Sequence, residues 1–394
     1  MKILQVISFG YPGGGAEKSV QLIKENLIKR GHKVLIVSSN HNPDAVHFSD
    51  IEFPEIDQNG LGLIEKFFKH IWYVESYRII KKTVNEFKPD VVHFHTMGQL
   101  SPSAIFAIGK TPGILTVHGP EEYVSSLLEW SFPSRMFHDA QVDLKNLTVL
   151  GRLYYIYYRF LQKPFYMFAF RRKLKLIIAP SKYMERVLKK ENYKVDILQL
   201  YNGIKLPQAT QLINNKRILY VGRLEHVKGV QVLLSAMREV ISNCNDVLLE
   251  IVGDGKMRPD LEDLAAKYNL TSNVKFIGWL NQTDVLKKYK DVYVVVIPSI
   301  WPENLPTVCI EALASGRPVI GTDTGGIPEL IRDGVTGVIV PKNNVDRLSK
   351  ALIDQLAMQN VKDLSIVCAS SMRKFSIEMF IDNLEENYKK IIGV

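Results

Sequence analysis

Short apolar runs of β character alternate with helix-length amphipathic stretches along almost the whole chain, and this alternation narrows the possible folds more than any other feature. The runs fall at 3–8, 33–38, 91–95, 113–117, 174–179 and 196–200, then again at 217–221, 247–252, 274–277, 293–297, 318–322 and 337–340. Helices are predicted between them, including 16–30 and 230–241. Strand and helix in strict succession build a parallel α/β architecture. The 394 residues suit about two domains, and 206–215, with Pro207 and several polar residues, is the best linker. The predicted fold class is α/β, two Rossmann-like domains facing a central cleft at the strand C-termini. There is no tandem repeat or low-complexity tract, and 46% hydrophobic with 23% charged residues excludes a disordered chain.

The opening M-K-I-L-Q-V-I-S-F-G is too short an apolar run for a signal peptide and reads as the first strand. No uninterrupted apolar run approaches the roughly 20 residues of a membrane span, so a cytoplasmic protein is expected. Cys244, Cys309 and Cys368 lack metal-type spacing and read as buried thiols in a reducing compartment. The net charge of +9 and isoelectric point near 9.1 suit anionic partners: phosphates, nucleic acid or an acidic membrane surface.

The chemistry concentrates in 298–329, where a polar loop follows the apolar run 292–297. A helix is predicted from Pro306, a residue with no N–H to lose at a first helical position. Gly316 and Pro318 close it. Glu303 and Glu311 would lie about 10 Å apart if the stretch were helical throughout. That is too far for a paired acid and base, but suited to gripping two parts of one extended ligand. The amides of Leu305, Thr307 and Val308, at a helix N-terminus, favour a phosphate. In V-G-R-L-E-H-V-K-G, Arg223 and Lys228 follow a strand in one loop, a fork and a point charge for phosphate oxygens. The chain contains no Asp-x-Asp. The first loop, G-Y-P-G-G-G-A-E-K, can bring backbone close to a phosphate. It lacks a strict G-x-G-x-x-G, and no acid closes the second strand, so a nicotinamide dinucleotide is disfavoured.

E-N-L-P at Glu303, E-A-L-A-S-G-R-P-V-I from Glu311, G-G-I-P-E after it and G-R-L-x-x-x-K-G at 222–229 together closely resemble the retaining glycosyltransferases of family 4. The resemblance implies the GT-B fold: an N-terminal acceptor domain over 1–205, a donor domain over 206–375, and a final helix within 376–394 that crosses back to the N-terminal domain. It implies that Arg223 and Lys228 clamp the donor diphosphate and that Glu303 holds hydroxyls of the donor sugar. The amides of Asn304, Leu305, Pro306 and Thr307 would belong to the same donor site, with proline contributing no N–H. Glu311 would take the ribose hydroxyls. Gly253, Asp254, Trp279 and Leu280 would line the nucleotide-base pocket, and Gly14 and Gly15 would meet the donor phosphate or the acceptor. His118 would face the donor sugar and help organise the reaction centre; read on its own, a lone histidine is more often structural. Glu121 and Glu122 are further acceptor candidates. His93 and His95, in P-D-V-V-H-F-H, read as scaffold and cleft lining, and Tyr201–Ile204, Y-N-G-I, as a turn before the domain joint.

The implied activity is transfer of a hexose-type sugar from a nucleotide diphosphate sugar to a hydroxyl of a sugar or lipid-linked acceptor. The transfer would retain configuration and, with Arg223 and Lys228 neutralising the diphosphate, require no metal and no cofactor; cell-surface polysaccharide or glycolipid assembly is the expected setting. A nucleotide-sugar epimerase and a non-catalytic two-lobed binding protein are the rival readings.

Residues 152–175 carry seven basic side chains among nine aromatic ones and no acid. Such a segment suits nucleic acid or a lipid interface, or else a helix pair packed on its own domain. Pro164 and the dispersed charges exclude a span, and no nucleic-acid module accompanies it. An anionic membrane surface, met peripherally on the inner face, is therefore the preferred partner, and nucleic acid is not expected.

Overall fold

The computed structural model describes residues 1–11, 13–42, 44–56, 63–119, 137–138, 141–142, 149–213, 215–358 and 363–394. Glu121 and Glu122 lie outside them. The chain forms two compact units, one of Met1–Ile204 with Ile377–Val394 and one of Lys205–Ser376.

The first unit is built on seven parallel strands: β1 (Lys2–Phe9), β2 (Lys33–Ser39), β3 (Ile51–Phe53), β4 (Val91–Phe94), β5 (Gly113–Thr116), β6 (Leu174–Ala179) and β7 (Asp196–Gln199). Their order is β3-β2-β1-β4-β5-β6-β7. Central strands are apolar on both faces because helices cover both sides of a parallel sheet; Ile3, Leu4, Val6 and Ile7 of β1 are all buried. The edge strand β3, three residues long, is the one strand of this sheet that hydropathy does not predict.

Helix Gly15–Lys29 lays Val20, Ile23 and Leu27 on one face of this sheet. Helix Ile377–Ile392 lies beside it, with Ile377, Phe380, Ile381, Leu384 and Tyr388 buried at helical spacing against Ile3, Val34, Val91 and Ile178. Arg30 joins the two helices by ion pairs to Asp382 (2.6 Å) and Glu385 (3.2 Å). Hydrogen bonding from Lys389, with help from Arg30, holds the Glu385 carboxyl at about 2, against the opposing effect of burial. The basic aromatic segment forms helix Val149–Tyr157, a π turn Tyr158–Gln162 and helix Lys163–Lys173.

The second unit carries six parallel strands: β8 (Arg217–Val221), β9 (Leu248–Val252), β10 (Val274–Gly278), β11 (Val294–Ile297), β12 (Val319–Thr322) and β13 (Gly337–Val340). They run β10-β9-β8-β11-β12-β13. In each sheet the chain order reverses once, at β1/β4 and at β8/β11. Ligands of open α/β sheets settle beyond the strand C-termini at such switch points.

The segment after Ile204 is fastened to the second unit by Arg317, whose side chain is fully buried. Its guanidinium donates to the carbonyls of Thr210 (2.9 Å) and Gln211 (3.0 Å) and to the Thr210 hydroxyl. These bonds all come from Nη2; Nη1 reaches the Val292 carbonyl at 3.5 Å, and Nε is buried without a partner, so the buried cation is only partly compensated. Cys309 and Cys368 are buried as expected, but Cys244 is half-exposed, its thiol donating to Asp246 at 3.2 Å. It closes a helix at the surface, where nothing covers it fully. Among the described residues no helix is long and apolar enough to cross a membrane.

Candidate active site

In the second unit the loops after β8, β9, β11 and β12 are stitched together at the strand C-termini. The β8 loop leaves through Gly222, whose N–H donates to Val252 O (3.0 Å), and Leu224 N–H donates to Asp254 O (2.9 Å). Gly253, at φ +136°, lies so close that a Cβ there would overlap the Gly222 carbonyl. Tyr220, buried in β8, donates its hydroxyl to Arg223 O at 2.9 Å and so sets the exit of the loop. Burial, then the charges of Glu303 and Glu225, push this phenol's pKa up and keep it a donor.

A 3₁₀ turn, His226–Lys228, ends at Gly229 (φ +72°), where a Cβ would overlap the Pro298 carbonyl. This close approach brings the β8 and β11 loops together: Ile300 and Trp301 N–H both donate to Val227 O, at 2.9 and 3.2 Å. The result is a pair 75 residues apart in sequence. Lys228 Nζ donates to Glu303 Oε1 at 2.6 Å, and Ser299 Oγ donates to the same oxygen at 2.8 Å. Gly326 N–H on the β12 loop donates to Glu303 O at 2.6 Å. Burial raises the Glu303 pKa, but Lys228, then Ser299 and the charge of Arg223, outweigh it, and the net shift is downward. Glu303 is therefore a carboxylate held at one oxygen by Lys228 and Ser299, with its main chain fixed by Gly326. Arg223 is exposed, paired with Glu225 at 2.9 Å.

The helix after this loop is Thr307–Ala314, beginning one residue later than expected. Pro306 stays extended (φ −68°, ψ 112°), and no side chain caps the N-terminus. Residues 303–306 are thus not helical, so the spacing estimated for Glu303 and Glu311 does not apply. The helix ends as predicted: Gly316 N–H donates to Leu313 O and Arg317 N–H to Ala312 O, both at 2.9 Å. Glu311 is buried, accepting from Gln282 Nε2 (2.8 Å) and the Tyr289 hydroxyl (3.4 Å). Asn304, Leu305, Pro306 and Thr307 are partly exposed, as is Leu280, and Trp279 is exposed. Asp254 accepts from Gly255 N–H (2.7 Å) and from Arg258 Nη1 (3.1 Å), bonds that fix its loop.

In the first unit Gly14 and Gly15 are exposed at the start of helix Gly15–Lys29. The buried Glu17 turns its carboxylate toward them; a Cβ on Gly14 would sit 3.1 Å from Oε2. His118 follows β5 in a histidine stack. Its Nε2 lies 3.2 Å from His95 Nδ1, and its Nδ1 lies 3.5 Å from Asn202 Nδ2. His95 Nε2 reaches Gln5 Oε1 at 3.1 Å, and His93 bridges Tyr388 (2.6 Å) and Thr116 (2.7 Å). Burial lowers the pKa of His93 to about 3 and of His118 to about 4, and puts His95 well below 6.5, so all three are neutral near pH 7. His93 and His95 are wholly buried, which makes them scaffold and not lining. Among the described residues no three His, Cys, Asp or Glu side chains gather as a metal site. Ser299, Tyr220, Gln282 and Tyr289 were not foreseen; their only sequence signal is a place near the end of a strand or on a neighbouring helix.

Solved structures with this architecture span the whole chain. Sucrose-phosphate synthase from Thermosynechococcus elongatus has a TM-score of 0.73 at 18% identity, with 100% of each chain covered. The Anabaena protein HepE in complex with UDP has a TM-score of 0.71 at 18% identity, covering 99% of this chain and 100% of that one; HepE is also solved with UDP-glucose. Two parallel-sheet α/β units of this kind make up the GT-B fold. Residues 13–207 match the family described as Glycosyltransferase Family 4, and residues 206–366 the one described as Glycosyl transferases group 1. The chain belongs to the family 4 type of GT-B glycosyltransferases. An uncharacterized glycosyltransferase of Methanocaldococcus jannaschii is 25% identical over 99% of both chains.

Proposed function

We propose that this glycosyltransferase is a retaining one, moving a hexose-type sugar from a nucleoside diphosphate sugar to an acceptor hydroxyl in an α-linkage. The observation that carries this reading is the Lys228–Glu303 pair at the β8/β11 switch point, with Arg223 on the same loop. Lys228 and Arg223 would stabilise charge growing on the departing diphosphate, a task suited to cations fixed beforehand. Glu303, ionised, would accept hydrogen bonds from hydroxyls of the donor sugar. The uncapped N-terminus of helix Thr307–Ala314 offers N–H groups to the sugar or phosphate. Glu311, oriented by Gln282 and Tyr289, would take the ribose hydroxyls.

Attack from the face the leaving group departs, with a phosphate oxygen taking the acceptor's proton, needs no covalent nucleophile, metal or cofactor. Gly14 and Gly15 would serve acceptor hydroxyls sooner than a phosphate, because Glu17 already places negative charge at that helix start. A sugar or lipid-linked acceptor, used in cell-surface polysaccharide or glycolipid assembly at the cytoplasmic face, fits this arrangement.

A thermal-shift panel of nucleoside diphosphates tests the donor site, because the series that binds raises the melting temperature by mass action. The uridine series comes first, since HepE is solved with UDP and UDP-glucose. The product anomer then tests the stereochemistry by NMR, and a β-linked product from an α-linked donor would sink the retaining assignment. Transfer should continue at its full rate after chelation of divalent cations; loss that magnesium restores would refute metal independence.

A further inference from the structure

Helix Val149–Tyr157 and the π turn after it bury one face and leave an apolar one outside. Tyr158 and Gln162 are 7% and 2% exposed, and Tyr155 packs with them against the core of the first unit. Val149, Leu153, Ile156 and Phe160 are 77%, 58%, 50% and 71% exposed. At 3.6 residues per turn Val149, Leu153 and Ile156 fall within about 60° of one another, and Phe160, in the π turn, is exposed beyond them while Tyr158 is buried. Arg152 and Arg159, both exposed, follow along one border of the stripe. An amphipathic helix of a soluble protein turns its apolar stripe inward; this one has a second stripe, pointing out.

We propose that the outward face of residues 149–162 lies flat on an anionic bilayer. Val149, Leu153, Ile156 and Phe160 enter the headgroup–acyl boundary, and Arg152 and Arg159 meet lipid phosphates. Three observations select this occupant. The stripe is aliphatic and aromatic with cations at its edge, the composition of interfacial helices. No carboxylate occurs from 149 to 181, so nothing in the segment repels an anionic surface. A second copy docking here antiparallel, about a two-fold axis perpendicular to the helix, would bring the arginine borders of the two copies together, which like-charge repulsion disfavours. The docking stands apart from the proposed transfer chemistry, and vesicle binding measures it without turnover.

The experiment is flotation of the full chain with phosphatidylglycerol-containing vesicles and with pure phosphatidylcholine vesicles. Binding is expected to the anionic vesicles alone and to weaken as salt rises. L153S/I156S/F160S should bind at least about tenfold more weakly, from the apolar burial it forgoes. R152Q/R159Q should lose on the order of 30-fold, at about 1 kcal/mol per basic side chain near an anionic surface. Because R152Q/R159Q leaves every apolar contact in place, it remains informative if the triple variant melts early. Absence of wild-type flotation, equal binding to neutral vesicles, or wild-type binding by R152Q/R159Q would each overturn the proposal. So would failure to bind vesicles together with a dimer that the triple variant dissociates, which would make a second copy the occupant.

Discussion

At the scale of single residues the molecule depends on two charges held together. Lys228 and Glu303 are mostly buried partners, so removing either strands the other, and such losses exceed the net worth of the pair. Lys228→Ala and Glu303→Ala are each expected to lower transfer by at least about 10²–10³-fold. Glu303→Gln should fold better than Glu303→Ala while remaining inactive, because the amide oxygen can still accept from Lys228. Transfer rates and melting temperatures of the three variants check this, and wild-type rates would remove both residues from the site. Gly253→Ala places a methyl on the Gly222 carbonyl at a φ of +136° and should cost at least about 2 kcal/mol, with nucleotide binding weakened alongside. Ser299 and Tyr220 show what residue-level reading of the sequence missed. Neither stands in a motif, and each acts through a short-range hydrogen bond, Ser299 to Glu303 four residues on and Tyr220 to Arg223 O three residues on, that no residue pattern announces.

At the scale of elements, the long apolar strands were legible because burial on both faces leaves an unbroken apolar run, as in β8 and β11. The three-residue edge strand β3 was not, since it buries too little to carry a pattern. The helix that carries Glu311 begins one residue later than the sequence suggests, because proline's missing N–H suits the first helical position and the capping position alike. Helix Ile377–Ile392 supplies an acid-sensitive contact. Glu385 titrates at about 2 in the folded chain against an ordinary 4.5, so its stabilisation is complete above 4.5 and fades as pH falls toward 2. Between pH 7 and 3.5 this amounts to roughly 1–2 kcal/mol, and Glu385→Gln should lose that much less than wild type over the same interval. Hydrogen exchange in 377–392 at the two pH values measures it; equal pH dependence in the variant would sink the assignment.

At the scale of the whole molecule, two parallel α/β units were readable from alternation alone, but the order of their strands and the long-range pairing of side chains were not. No spacing rule links His93 to Tyr388, 295 residues away, or Arg317 to Thr210. Deleting 377–394 should strip the cover from Ile3, Val91 and Ile178 and leave His93 without its phenol, while Lys205–Ser376 keeps all its own contacts. The truncated chain is expected to show a lower-melting first unit and an unchanged response of the second to nucleotide. Cooperative loss of both would contradict the division.

The same discontinuity dictates an order of events on the ribosome. The first unit is started first but finished last: its sheet emerges with one apolar face covered only in part, by helix Gly15–Lys29, and the helix that completes the cover leaves the tunnel only after all of Lys205–Ser376. The second unit is contiguous and can close on its own as it emerges, whereas the first must wait with Ile3, Val34 and Val91 incompletely covered. Chaperone demand during synthesis should therefore fall on the N-terminal half, and a stall between 205 and 376 would strand the half that was made earliest.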